Sequence, residues 1–386
     1  MSKLDELLAE LCPDGVEYKA LSDVCQLITG ATPSKANKAY WENGTIPWMS
    51  SGEVNLKRVT ETEQKITQLG YDKTSTKLVP KHSIVIALAG QGKTRGKVAI
   101  TEIELCTNQS LCSIICKDCL DYKFLYYYLD GKYEELRTIS NGDGTRGGLS
   151  LKILAPYKIP VPPLELQHEV VRILDNFTEL TDELTAELTA RQKQYEFYRN
   201  KLLEPKNDIP MLPLSKISIP FRGEYITKSG STAGDIPVIL GGQEPAYYID
   251  KCNHTGEIVV VARSGVSAGF VSYWDEPIFV TDGFGYESNS EWVTTKYLFY
   301  ILKNKENELN SMKRGAGVPH ISGAALSEVK FPVPSLKEQE RIVSILDRFD
   351  TLCNDIGEGL PAEIEARQKQ YEYYRDKLLS LKELKP

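Results

Sequence analysis

Nowhere in the 386 residues is there a run of the ~18 apolar residues that a membrane span requires. The opening stretch, MSKLDELLAEL, is acidic and amphipathic, without the basic start and apolar core of a secretion signal. Cysteine is sparse: eight in the chain is far below the density of a disulfide scaffold, which points to a reducing, cytoplasmic setting. Basic residues are outnumbered, 46 Lys and Arg against 53 Asp and Glu for a net charge of −7, and at first sight that argues against nucleic acid as a partner. Catalytic signatures are also wanting. There is no HExxH metal motif, and the one Pro-Pro pair, Pro162-Pro163, lies between Val161 and Leu164 and so forms no Asp/Asn-Pro-Pro-aromatic site for amino-methyl transfer. The remainder, 41% hydrophobic and 26% charged, is ordinary globular composition, long enough for two or three domains.

What the chain does contain is the same text twice. Residues 159–180, IPVPPLELQHEVVRILDNFTEL, match residues 331–352, FPVPSLKEQERIVSILDRFDTL, at an offset of 172. The match resumes as ARQKQYEFYRNKLL (190–203) against ARQKQYEYYRDKLL (366–379), at an offset of 176, so the second copy carries four extra residues. Apolar positions recur at steps of three and four. Leu174, Phe177, Leu184, Leu188 and Tyr195 fall on one stripe in the first copy; Leu346, Phe349, Ile356, Ile364 and Tyr371 do so in the second. The spacing predicts two long helices with a narrow coiled-coil seam, packed antiparallel within the chain because a large domain precedes each. Four extra residues are about one helical turn and preserve the seam. Gly357, Gly359 and Pro361, however, predict a break near Gly359 and a restart at Pro361. The first helix carries a tetrad repeat, Thr181-Asp182-Glu183-Leu184 then Thr185-Ala186-Glu187-Leu188, a unit that can be gained or lost with its buried face intact.

The segments before the two helices are related more weakly. Each reads as short β-branched strands with Gly, Pro and Asn turns, then an aromatic helix (121–138; 295–312), then a Gly-rich loop, NGDGTRGG (141–148) or KRGAGVPH (313–320). The architecture is therefore α+β: two mixed α/β domains, 1–158 and 206–330, joined and spaced by helical segments 159–205 and 331–386, as an internal repeat with pseudo-twofold character. Charge is unevenly spread. Residues 1–160 net +1, 161–205 net −4, 206–339 net −2 and 340–386 net −2, while Lys73 to Thr101 holds six Lys and Arg and no acid. A local basic loop of that kind suits phosphate contact, for which the global sum is a poor guide.

Two motifs invite enzymatic or metal readings. Residues 87–94, ALAGQGKT, nearly spell a P-loop with Ala87 in place of the first Gly, but the RGKVAITEI after it is strand-like, whereas a phosphate cradle opens a helix. A Gly-rich basic β-hairpin is the expectation. Cys106, Cys112, Cys116 and Cys119 form a loose cluster with one CxxC pair and no His at regular spacing, and read as small core residues. Arg263-Ser264-Gly265 and Gly144-Thr145-Arg146-Gly147 set Arg beside small polar residues, a combination suited to phosphates and guanine edges, though also found in solvated turns.

Two variable domains alternating with two near-identical helices, each entered through PVPPLELQ or PVPSLKEQ and ending in the ARQKQYE box, resemble the specificity subunit of type I restriction–modification systems. The resemblance spans essentially the whole chain. It implies a non-catalytic, cytoplasmic DNA-recognition subunit whose two target-recognition domains each read half of a split double-stranded site, the helices setting the gap. It also implies two docked methyltransferase subunits and two restriction/translocase subunits. No cofactor is expected on this chain; S-adenosylmethionine, ATP and Mg belong to the partners. Matched to family loops, the expected DNA-contacting residues are Gln91, Lys93, Thr94, Arg95, Lys97, Thr145 and Arg146 in the first domain. In the second they are Gln243, Arg263, Ser264, Lys313, Arg314 and His320. The alternatives are a coiled-coil scaffold without nucleic acid and a P-loop nucleotide-binding protein.

Overall fold

The structure, a computed structural model, describes residues 3–90, 94–140, 148–240, 244–265, 267–315, 319–355 and 357–384. Contacts divide the chain into two units, Met1–Glu183 with Ile364–Pro386, and Leu184–Glu363. Among the described residues no helix is long and apolar enough to cross a membrane.

The first unit is built on a five-stranded sheet. Its strands are β1 (Cys25–Thr29), β2 (Arg58–Val59), β3 (Ile84–Ala87), β4 (Val98–Thr101) and β5 (Leu111–Cys116), in the order β1-β5-β3-β4-β2. Every side chain of β3 and β4 is buried. These short β-branched runs have both faces covered, on one side by Phe124, Leu125 and Leu129 and on the other by Met49, Val54 and Leu105. A second sheet holds the parallel pair Ile46–Met49 and Leu105–Thr107, and Tyr18–Ala20 pairs antiparallel with Lys158–Pro160.

The second unit repeats this plan. β6 (Ser218–Arg222), β7 (Ile258–Ala262), β8 (Val271–Trp274) and β9 (Gly283–Ser288) run in the order β6-β9-β7-β8. Ile236–Ile239 pairs parallel with Phe279–Val280, and Met211–Pro213 pairs antiparallel with Lys330–Pro332. The order β6-β9-β7-β8 matches β1-β5-β3-β4, and the first sheet adds β2 at its edge.

The longer helices among the described residues are α1 (Lys3–Leu11), α2 (Tyr122–Gly131), α3 (Leu164–Leu202), α4 (Thr295–Asn304), α5 (Leu336–Asn354) and α6 (Leu360–Leu379). Asp121 caps α2 by accepting from Lys123 N and Phe124 N, and Thr294 caps α4 by accepting from Tyr297 N. The aromatic faces of α2 and α4 pack on their sheets and on the helical repeats. In the first unit Leu174 is buried, Phe177 stacks on Tyr374 with centroids 5.3 Å apart, and Tyr371 packs on Tyr127. In the second, Leu346 is buried, Leu188 packs on the core, and Tyr195 and Tyr198 both stack on Phe349. Leu184 and Ile364 are half-buried; Ile356 lies outside the described residues.

α3 is continuous over 39 residues, about 58 Å at 1.5 Å per residue. Its tetrad threonines satisfy their hydroxyls within the helix by bonding back one turn, Thr181 to Phe177 O and Thr189 to Thr185 O. The second copy is interrupted. α5 stops at Asn354, the Asp355 carboxylate accepts from Gly357 N and Glu358 N, and α6 starts at Leu360 with Pro361 in its first turn. The four extra residues are absorbed in this link; they do not lengthen the helix.

Candidate nucleic-acid interface

The same backbone junction lies at the end of the central hairpin in each unit. In the first, Gly96 N donates to Ala87 O, closing the β3–β4 hairpin; Leu88 N donates to Ser110 O, and Leu149 N to Leu88 O at 2.8 Å each. In the second, Gly269 N donates to Ala262 O, closing β7–β8; Arg263 N donates to Asp282 O at 3.3 Å, and Ile321 N to Arg263 O at 2.9 Å. Three chain segments meet there: the hairpin loop, the lead into the next strand, and the end of the Gly-rich loop. A fixed hydrogen-bonded frame leaves the intervening loop residues free to differ.

In the second unit this junction gathers residues that lie far apart in sequence. Ser264 bridges to His320, and Arg314 and His320 exchange backbone hydrogen bonds at 3.1 and 3.0 Å, closing the base of the Gly-rich loop. Arg314 and His320 are exposed, and Arg263, Ser264 and Lys313 half-buried. Asp282, not among the sequence candidates, lies beside Arg263 and Ser264. Its carboxylate accepts the Ser264 hydroxyl and lies 4.0 Å from the Arg263 guanidinium. Its only signal in the sequence was the turn-forming Asp-Gly pair between two apolar runs. Gln243 lies outside the described residues.

The first unit places its candidates differently. Thr94 and Arg95 are buried at the foot of the hairpin loop, with the Thr94 hydroxyl directed to Ala89 O. Lys97 donates to Asn55 Oδ1 at 2.7 Å, in a groove of mixed charge lined also by Lys57 and Arg375 and by Asp130, Glu134 and Glu372. Gln91, Lys93, Thr145 and Arg146 lie outside the described residues. Lys73, Lys77 and Lys81 of the acid-free stretch are exposed.

The described part of the P-loop-like stretch runs from a turn at 94–96 straight into β4, antiparallel to β3, so it leads into a strand and not into a helix N-terminus. Residues 265–269, GVSAG, have the Gly-x-Ser-x-Gly spelling of a nucleophile turn. In sequence they fall between β7 and β8, which pair antiparallel, whereas a nucleophile turn joins strand to helix. Among the described residues no group of three His, Cys, Asp or Glu is placed to hold a metal ion.

The comparisons with known proteins agree on one family. A family model described as type I restriction modification DNA specificity domain matches residues 13–193 and 218–366. The EcoprrI type I specificity subunit of Escherichia coli is 33% identical over 93% of this chain and 93% of its own length. The EcoR124I/EcoR124II specificity subunit of the same organism is 30% identical, over 98% and 97%. In fold, the chain is similar to the S subunit of a type I restriction–modification system from M. genitalium, with a TM-score of 0.63 at 19% identity over 94% of this chain and 96% of that one. The chain belongs to the type I restriction–modification DNA specificity family.

Proposed function

We propose that the chain is the non-catalytic recognition subunit of a type I complex, each unit reading one half of a split DNA site through the loops gathered at its junction. The observation that carries this is the junction itself: one backbone frame in both units, bearing Leu88 and Ser110 in the first and Arg263 and Asp282 in the second. Identical frames with different side chains suit one task on two different targets. Bidentate contacts to base edges discriminate by about 1–3 kcal/mol each, and two half-sites multiply that specificity without reading the spacer. The helical repeats pair as an antiparallel coiled coil that sets the gap. The stacking of Phe177 on Tyr374 in one unit, and of Tyr195 and Tyr198 on Phe349 in the other, supports that pairing. Two methyltransferase subunits dock on these helices and domains, and two restriction/translocase subunits join them. S-adenosylmethionine, ATP and Mg are bound by those partners and none by this chain.

The test is genome-wide mapping of modified bases in cells with and without the chain. The expected result is a split motif present only with it. Modification that does not depend on the chain would sink the reading and leave the coiled-coil scaffold in its place.

A further inference from the structure

The position of Asp282 is odd for a surface that meets DNA, because a carboxylate there repels phosphate. One of its oxygens is hydrogen-bonded within the chain, accepting from the Ser264 hydroxyl, and the other stands at ion-pair distance from the Arg263 guanidinium, 4.0 Å away. So placed, the carboxylate faces donors of its own chain. It is well placed to aim a guanidinium, whose rigid fork reads guanine O6 and N7 only when held at the right angle.

The fold does not demand the pair. In the first unit the equivalent backbone bond, Leu88 N to Ser110 O, forms with neither charge present. The Arg263–Asp282 pair is therefore an addition to a frame that closes without it. We propose that Asp282 is a positioning residue for base reading in the second half-site, acting through Arg263 and Ser264. This rests on the reading that the second unit's junction contacts DNA.

Asp282→Asn keeps an acceptor for Ser264 and removes the charge that orients Arg263. The measurement is mapping of modified bases in cells where the variant replaces the chain, beside Arg263→Ala and the double variant. Arg263→Ala should relax preference at one or two adjacent positions of one half-site, by roughly tenfold. Asp282→Asn should relax the same positions, the double variant no more than Arg263→Ala alone, and the other half-site and spacer should not move. A merely structural residue would lower modification on all sites alike and leave base preference intact, which would overturn the proposal. So would a preference changed at a position that Arg263→Ala leaves alone, the mark of direct base contact by the carboxylate. If Asp282→Asn lowers the amount of folded chain, Ser264→Ala removes one donor and leaves the carboxylate; it should relax the same positions to a smaller degree, and unchanged preference there overturns the proposal too. Absence of any motif with the unaltered chain is a separate outcome, which removes the DNA reading itself.

Discussion

Gln167 and Gln339 are fully buried amides, and each bonds three backbone groups in two separate stretches of chain. Gln167 accepts from Asp121 N and donates to Cys119 O and Pro162 O. Gln339 accepts from Thr294 N and donates to Trp292 O and Pro334 O. Each thus locks the Pro-rich hinge to the start of the aromatic helix, which accounts for the shared Gln of PVPPLELQ and PVPSLKEQ. Gln339→Ala would strand three backbone groups, and should lower unfolding free energy by about 3 kcal/mol in urea titration. Glu169 is a second buried anchor. Arg172 donates to it at 2.7 and 3.0 Å, and Lys3 of α1 lies 3.1 Å away. The Arg172 contact, with help from Lys3 and against the opposing effect of burial, holds the Glu169 carboxyl down to about 2 from an ordinary 4.5. A carboxyl depressed in the folded state adds stability that is complete above its unfolded value and is lost as pH falls toward the folded one. Glu169→Gln should therefore flatten the fall of unfolding free energy between about pH 4.5 and 2, with little change in slope above that window.

At the scale of elements, the long helices and the interruption of the second were legible. Period and composition pointed to a helix from Leu164, and α3 runs Leu164–Leu202. The Gly and Pro signals located the interruption of the second copy. Gly359 could not be replaced freely, since a Cβ there would lie 2.3 Å from Thr351 O. The tetrads lie on a part of α3 where Thr181, Leu184 and Leu188 are half-buried and the residues between them exposed, so four residues can be added without disturbing a packed core. One added Thr-Ala-Glu-Leu unit lengthens the helix by ~6 Å, about two steps along DNA. Inserted after Leu188, it should widen the spacer of the mapped motif by one or two base pairs with both half-sites unchanged. An altered half-site would contradict a purely spacing role for the helix.

For the whole molecule, the net charge of −7 no longer weighs against DNA, because residues 161–205 carry −4 of it and residues 340–386 a further −2. The surplus acid is concentrated on the helical stretches assigned to spacing and docking, while 1–160 at +1 and 206–339 at −2 are nearly neutral. The chain by itself should therefore hold DNA weakly. Between 50 and 200 mM salt its affinity should fall far less than the roughly thousandfold or more expected for six to ten phosphate contacts, as read by fluorescence anisotropy on duplex DNA. Tight, steeply salt-dependent binding would show that the isolated chain carries the backbone grip.

Periodicity, turn residues and the duplication are local or self-referential signals, and they sufficed for the helices, the break and the β-hairpin in place of a P-loop. Which distant segments meet was settled by tertiary packing alone. Residues 331–386, expected as one helical spacer, divide between the units, with 364–386 grouped with the first. There Val16 pairs with the backbone of Lys382 and Leu384, and the Tyr18 hydroxyl donates to Leu381 O. The same is true of the candidate site: Arg263 and Arg314 stand out by their Gly-rich settings, whereas the burial of Thr94 and Arg95 and the place of Asp282 depend on loop closure. Backbone pairing across hundreds of residues is set by burial of whole faces, and no short stretch of sequence records its partner.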